Sequence, residues 1–253
     1  MWEEVVVFGC IGFAAQAIDG ALGMAYGVTA TTMLLGLGVA PPIASASVHT
    51  AEVFTTAVSG TAHWQLGNVD VALLRRLAFA GIVGGATGAY LSTVLPGSVI
   101  RPFVSLYLLA MGIVIVWRAI GRFGNDCSTA APISTPRRLI PLGVVGGLLD
   151  AIGGGGWGAM VTSTLIGWRV MPRLAIGSAN LAEFFVTIVV TATFVATIGL
   201  ELWPIIAGLV AGGVLAAPFA AFMTRRLPER PLMFLVGTVI VLLSIRGLLQ
   251  NLR

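Results

Sequence analysis

Long apolar segments dominate this chain and leave it few ways to fold in water. Eight of them cover residues 5–37, 43–63, 72–95, 99–120, 139–171, 174–199, 203–224 and 231–250. Each approaches or exceeds the roughly 20 residues that a helix needs to cross a bilayer core. Only 9% of the residues are charged, whereas soluble domains carry about a quarter. The sequence therefore predicts an all-α polytopic membrane protein whose outer surface contacts the lipid bilayer.

All 14 basic residues are arginine, and they cluster at the ends of the apolar segments. A nucleic-acid-binding surface would instead group them on one soluble face with aromatic residues between them, so no nucleic-acid partner is expected. Cys10 and Cys127 lack the spacing of a disulfide framework or a metal site, and we expect no cofactor. No Ser-His-Asp or Cys-His spacing supports an enzyme.

The chain contains an internal duplication. A shift of 131 positions aligns residues 12–56 with 143–187 without a gap, and about a third of the pairs are identical. Transporters are commonly built from such repeats. We predict a first transmembrane repeat over 1–120, a linker over 121–138 and a second repeat over 139–253.

The first segment of each repeat has an unusual length. Residues 5–37 would form a helix of about 50 Å, too long for a bilayer core of about 30 Å. Helix-breaking residues occupy the middle, with Asp19-Gly20 in one repeat and Asp150 followed by Gly153–Gly156 in the other. We therefore predict a re-entrant or broken helical hairpin in each repeat, with arms of about 14 residues, followed by three transmembrane helices.

The arginines favour an inverted arrangement of the repeats. If each hairpin enters and leaves on one side, the repeats have opposite orientations. One side then carries Arg75, Arg76, Arg118, Arg122, Arg137, Arg138, Arg169, Arg173, Arg225, Arg226 and Arg230. The other side carries only Arg101, Arg246 and Arg253. The positive-inside rule then predicts a cytoplasmic linker and both termini outside.

Four carboxyl groups fall within the apolar segments, as two repeat pairs: Asp19 with Asp150, and Glu52 with Glu183. A carboxylate at membrane depth is a functional hypothesis by default. The aspartates at the breaks either cap the following short helix or form an ion or proton site. Both roles are compatible.

Polar residues around Glu52 recur at helical spacing, from Ser45 and His49 to Thr56, Ser59 and His63. The second repeat keeps a weaker stripe with Asn180, Glu183, Thr187 and Thr191. Such a face should point to a solvated pathway, or it forms hydrogen bonds that hold the helices together. Burial favours the protonated form of a carboxyl group, so Glu52 and Glu183 are candidate proton carriers.

The glycine-rich breaks are candidate ligand sites. Gly23 and Gly154 lie where two short helices meet, and helix N-termini attract anions. Tyr26 and Trp157 could wall such a site or serve as packing residues. Hydroxyl and amide donors from Ser47, His49, Ser178 and Asn180 complete the predicted substrate-binding set.

These motifs resemble the TauE/SafE sulfite-exporter family of permeases. The resemblance rests on Gly23-Met24-Ala25-Tyr26-Gly27, Leu34 to Pro41, Ala44 to His49 and Gly67-Asn68-Val69-Asp70, and on the second copy at Gly153–Gly158 and Pro172–Glu183. It implies a secondary transporter, usually an exporter, of sulfite or organosulfonates. A cation transporter or channel that uses the four carboxyl groups is the alternative, and a homo-oligomer stays open.

Overall fold

The computed structural model describes residues 2–22, 25–120, 136–168, 170–199, 203–223 and 229–251, and every secondary-structure element in these ranges is helical. The helices are α1 (Trp2–Leu22), α2 (Tyr26–Gly36), α3 (Pro41–Gln65), α4 (Val71–Val94), α5 (Gly97–Ile120), α6 (Pro136–Gly153), α7 (Ser163–Gly167), α8 (Pro172–Ile198), α9 (Trp203–Met223) and α10 (Glu229–Asn251). A π-helical turn over Gly158–Thr162 leads into α7.

Three helices of the described residues are long and apolar enough to cross a membrane, namely Val71–Val94, Gly97–Ile120 and Arg173–Ile198. Shorter apolar helices cover Gly158–Gly167, Trp203–Ala216 and Met233–Leu249. The all-α fold and its apolar spans confirm the predicted class. Most of the 121–138 linker lies outside the described residues, so its cytoplasmic location stays a prediction.

Local sequence explains where the main spans begin. Proline opens both α3 and α8, at Pro41 and Pro172, where its fixed φ suits the first helical position and its missing N–H costs nothing. Asp70 caps α4 by accepting hydrogen bonds from the N–H groups of Ala72 (2.8 Å) and Leu73 (3.1 Å). These starts agree with the apolar segments to within two residues.

Both opening segments are broken, as predicted, but their arms are unequal. Helix α1 has 21 residues and α2 has 11, while α6 has 18 and the π turn with α7 spans Gly158–Gly167. The predicted equal arms of about 14 residues are therefore wrong. Asp19 and Asp150 do not interrupt the helix but lie inside its last turn, so the first arm continues past them.

Each opening helix packs against a helix of the other half. Helix α1 packs on α9, and α6 packs on α4. Close approaches fix their directions: Gly208 lies against Val5 and Gly212 against Phe13, while Gly143 lies against Leu77 and Gly88 against Leu148. In each pair, the residue numbers of the contacting residues rise together along the two helices. Both pairs therefore run parallel.

Two further large contacts join equivalent helices of the halves, α3 with α8 and α5 with α10. The rings of His49 and Phe194 are 6.5 Å apart, and Gly60 packs against Leu181. Residues later in α3 thus contact residues earlier in α8, so the two helices are antiparallel. The same holds for α5 and α10, where Gly247 contacts Ser105 and Gly237 contacts Val116.

Candidate functional site

An aspartate side chain bridges each helix break. Asp19 Oδ1 accepts hydrogen bonds from the N–H groups of Ala25 (2.8 Å) and Tyr26 (3.1 Å). Asp150 Oδ1 accepts one from the N–H of Trp157 (2.8 Å). The first N–H groups of a helix have no partner inside it, so each carboxyl group fixes the start of the second arm. The capping interpretation is confirmed for both residues.

Three glycines allow the sharp turn of the second break. Gly154, Gly155 and Gly156 have φ of 75°, 130° and 128°, values that side chains rarely allow. The carbonyl of Gly154 accepts a hydrogen bond from Thr31 Oγ1. The carbonyl of Gly155 accepts one from Tyr107 Oη at 3.0 Å. Side chains from the first half therefore hold the turn of the second.

The start of α2 touches the second break directly. A methyl group placed on Gly27 would lie 2.6 Å from the Cα of Gly155 and 2.7 Å from Oε1 of Glu52. Only glycine allows this approach of two backbones and a carboxyl group. Two helix N-termini and the buried carboxyl of Glu52 therefore meet in one place.

His49 binds the aspartate of the opposite half. Its Nε2 lies 3.0 Å from Asp150 Oδ2, and both side chains are 0% exposed. Its Nδ1 lies 2.8 Å from the carbonyl oxygen of Ser45. The hydroxyl of Ser45 donates to the carbonyl of Ala151 at 2.5 Å. Helix α3 is thereby tied to the last turn of α6.

A polar cavity of about 250 Å³ lies beside the junction of the two breaks. Its lining combines carboxyl, hydroxyl and amide groups with glycine backbone. The lining residues are Gln16, Asp19, Tyr26, Gly27, Glu52, Thr55, Thr56, Ser59, His63, Gly156, Gly158, Thr162, Ile176, Asn180 and Glu183. The volume accommodates several water molecules or one small ligand, at about 30 Å³ per liquid water.

Several lining atoms are buried without a hydrogen-bond partner in the described part of the chain. They are Gln16 Oε1, Tyr26 Oη, Glu52 Oε2 and Asn180 Oδ1. Glu52 is 4% exposed and Tyr26 is 5% exposed. Leaving a buried polar atom unpaired costs about 1–3 kcal/mol, so these atoms require water or a ligand in the cavity.

The structure brings five of the predicted site residues to this cavity and leaves others elsewhere. Asp19, Tyr26, Glu52, Asn180 and Glu183 line it. The remaining residues have structural contacts or lie outside the lining. Ser178 Oγ accepts a hydrogen bond from the N–H of Asp70 (2.8 Å), and Trp157 Nε1 donates one to the carbonyl of Ala179 (3.0 Å). Gly154 belongs to the turn, His49 and Asp150 bind each other, and Ser47 is buried outside the lining. Gly23 lies outside the described residues.

Among the residues of this region that sequence reasoning missed are Gln16, Thr31 and Tyr107. Gln16 precedes Asp19 by three positions and therefore shares its helix face, a signal that was available. Thr31 and Tyr107 hold the second break from α2 and α5. Both look like ordinary residues of apolar spans, and the contacts cross large sequence separations.

Helix breaks supported by carboxyl groups around a polar cavity, within an apolar helical protein, are the arrangement in which secondary transporters commonly bind their substrates. Residues 8–247 match the family described as Sulfite exporter TauE/SafE, and the chain belongs to this family. It is also 40% identical over 252 residues to the "Probable membrane transporter protein YtnM" of Bacillus subtilis (strain 168), covering 98% of this chain and 84% of that protein. No solved structure matches the chain.

Proposed function

We propose that this protein is a secondary transporter that exports a small sulfur-containing anion, such as sulfite or an organosulfonate, across the cytoplasmic membrane, with proton coupling. The observation that carries the proposal is the polar cavity at the meeting point of two broken helices. Its unpaired buried atoms require a polar occupant. Substrate sites at discontinuous helices are common among secondary transporters.

Hydrogen-bond donors at the cavity suit an oxyanion. Gly27 and Gly158 stand in the first turns of the two second arms and line the cavity. The N–H groups of a first helical turn carry partial positive charge. The hydroxyl of Tyr26 and the amide of Asn180 add donors from side chains. Glu52 and Glu183 are the candidate proton carriers.

We infer in addition that the two halves have inverted topology, with both termini outside. The antiparallel course of α3 with α8 and of α5 with α10 supports this arrangement, because equivalent helices of inverted repeats run in opposite directions. A single crossing by each opening segment would give parallel equivalents instead. The parallel pairs α1 with α9 and α4 with α6 agree with the same topology.

The cavity extends along one side of α3 toward its end. Glu52, Thr56, Ser59 and His63 follow one another at helical spacing in its lining. At the equivalent positions of α8, Val190 and Phe194 are buried in an apolar cluster. The proposed topology puts His63 at the cytoplasmic end, so this conformation would load its substrate from the cytoplasm, as an exporter requires.

Sulfite transport into proteoliposomes tests the proposal with a matched pair of variants. Tyr26→Phe removes only the unpaired hydroxyl in the cavity, and Tyr90→Phe removes a hydroxyl from an exposed tyrosine of α4. We expect Tyr26→Phe to weaken apparent sulfite affinity about threefold to tenfold, the effect of one hydrogen bond. Tyr90→Phe should match the wild type. Equal affinity in all three proteins would remove the cavity from the transport pathway.

One observation favours a cation transporter as the second candidate. Three carboxyl groups, from Asp19, Glu52 and Glu183, share the cavity. A tightly bound metal ion is not supported, because the described residues contain no group of three or more His, Cys, Asp or Glu side chains that could hold one. Flux of Na⁺ or Mn²⁺ that sulfite does not stimulate would select this second function.

A further inference from the structure

The cavity has an unusual charge composition for an anion site. Its lining includes the carboxyl groups of Asp19, Glu52 and Glu183, and none of the described lining residues is arginine or lysine. The imidazole of His63, half-buried at one end, is the single lining group that becomes cationic on protonation. An oxyanion in this cavity therefore finds no fixed positive charge beside it.

The groups that face Glu52 come from several helices. Asp19 of α1, Tyr26 of α2 and Glu183 of α8 share the cavity with it. Nearby, His49 and Asp150 bind each other at 3.0 Å, and the hydroxyl of Tyr107 of α5 donates to the carbonyl of Gly155. Helix α9, which also packs against α3, carries no titratable residue over Trp203–Met223. Nothing in these elements compensates three ionised carboxyl groups.

Protonation resolves the conflict between carboxyl groups and an anion. A protonated carboxyl is a hydrogen-bond donor, and an ionised one only accepts. The Oε2 atom of Glu52 has no hydrogen-bond partner in the described residues, so in its protonated form it can donate to an oxygen of the substrate. Each proton that remains bound also removes one negative charge from the cavity.

We propose that the cavity accepts a singly charged oxyanion of the R–SO₃⁻ type, hydrogensulfite or an alkanesulfonate, bound through a protonated Glu52, and rejects doubly charged anions such as sulfate. This specificity rests on the proposed anion transport. A dianion would need a second compensating charge that the cavity lacks. The substrate enters with its charge balanced in part by the carboxyl protons.

Ligand binding to the purified protein in detergent tests the charge preference, measured by thermal stabilisation and by competition with labelled sulfite in proteoliposomes. Methanesulfonate carries one charge at every pH used, and sulfate carries two. We expect methanesulfonate to bind at least about tenfold more tightly than sulfate, because uncompensated charges at close range interact strongly even at a moderate dielectric constant.

A variant series tests the role of Glu52. Methanesulfonate affinity of the wild type should fall as pH rises, because ionised Glu52 cannot donate. Glu52→Gln always presents an N–H donor, so its affinity should vary less with pH than that of the wild type. Glu3→Gln, an exposed glutamate in the first turn of α1, is the matched control and should keep the wild-type profile. If Glu52→Gln does not fold, Glu52→Asp replaces it: the shorter side chain keeps a carboxyl group but withdraws it from the substrate, and should weaken methanesulfonate affinity.

Each result bears on a different level of the proposal. Sulfate binding as tight as methanesulfonate overturns the charge preference and leaves anion transport intact. A wild-type pH profile in Glu52→Gln, or wild-type affinity in Glu52→Asp, overturns the carboxyl donor. Absence of binding by every anion, together with Na⁺ or Mn²⁺ flux, overturns the proposed function and this specificity together.

Discussion

The break after α1 and the break after α6 use the same device but lie in different surroundings. In both, an aspartate in the last turn of the first helix binds the N–H at the start of the next. Asp150 is fully buried, and its second oxygen is bound by His49. Asp19 is partly buried and lines the cavity. The residue equivalent to His49 is Asn180, whose Oδ1 is buried without a partner in the described chain.

The aromatic residues that follow the breaks differ in the same direction. Trp157 is 0% exposed and its indole N–H is bonded to a carbonyl, whereas the hydroxyl of Tyr26 is unpaired beside the cavity. The second break is thus an internal anchor whose polar groups are bonded within the protein. Around the first break, several polar groups are unpaired beside the cavity. The two breaks share one capping arrangement, and we expect the first to be the one that contacts a ligand.

The largest effect should come from truncating the anchoring aspartate. Asp150→Ala removes the cap of Trp157 and leaves His49 buried without its partner, which should lower the free energy of unfolding by about 3–5 kcal/mol. Asp19→Ala loses only a cap beside a wet cavity, at about 1 kcal/mol. Thermal unfolding in detergent measures both. Equal losses would contradict the division between anchor and site.

Asparagine substitutions separate capping from proton chemistry. In Asp150→Asn, the amide oxygen can cap Trp157 while the amide N–H faces Nε2 of His49, so transport should persist. Asp19→Asn keeps a cap but cannot bind a proton, and its transport rate should fall about tenfold or more if the cavity carboxyl is functional. Wild-type flux in both variants would leave capping as the whole role of both aspartates.

Exchanging the residues that differ should transfer the properties of one break to the other. Asn180→His places an imidazole in the cavity that Asp19 also lines. We expect it to bind Asp19 as His49 binds Asp150, to stabilise the protein by about 1 kcal/mol and to slow transport. The reciprocal His49→Asn should destabilise it. Melting temperature and sulfite flux are the two readouts. Unchanged flux in Asn180→His would show that Asp19 need not be available to the cavity.

The smallest effect on stability, and the sharpest test of inversion, comes from cysteine labelling. Leu66 and Thr197 are equivalent positions, both exposed, at the ends of α3 and α8. In a protein whose Cys10 and Cys127 are replaced by serine, Leu66→Cys should react with an impermeant reagent only from the cytoplasm, and Thr197→Cys only from outside. Labelling from the same face would contradict the inverted arrangement of the halves.

The sequence predicted the helical spans well, because hydrophobic length and proline starts are local signals. It also located both breaks and the capping role of their aspartates. It could not assign the partner of His49, since the aligned repeats offer Asp19 and Asp150 equally and only the packing of α3 against α6 decides. Ser178 was predicted as a ligand donor, yet its hydroxyl accepts a hydrogen bond from the N–H of Asp70. This contact forms only when the α3–α4 connection folds against α8, so no local pattern in the sequence indicates it.

The exchanged packing of the opening helices has a consequence for biosynthesis. Helix α6 emerges from the ribosome after α4, so its packing partner is already in place. Helix α1 ends at Leu22 while its partner α9 begins at Trp203, and translation of the roughly 180 residues between them takes about ten seconds or more. During that interval α1 must persist in the bilayer without the surface that later covers its glycines. The order of synthesis therefore leaves the packing face of α1 uncovered for longer than that of α6.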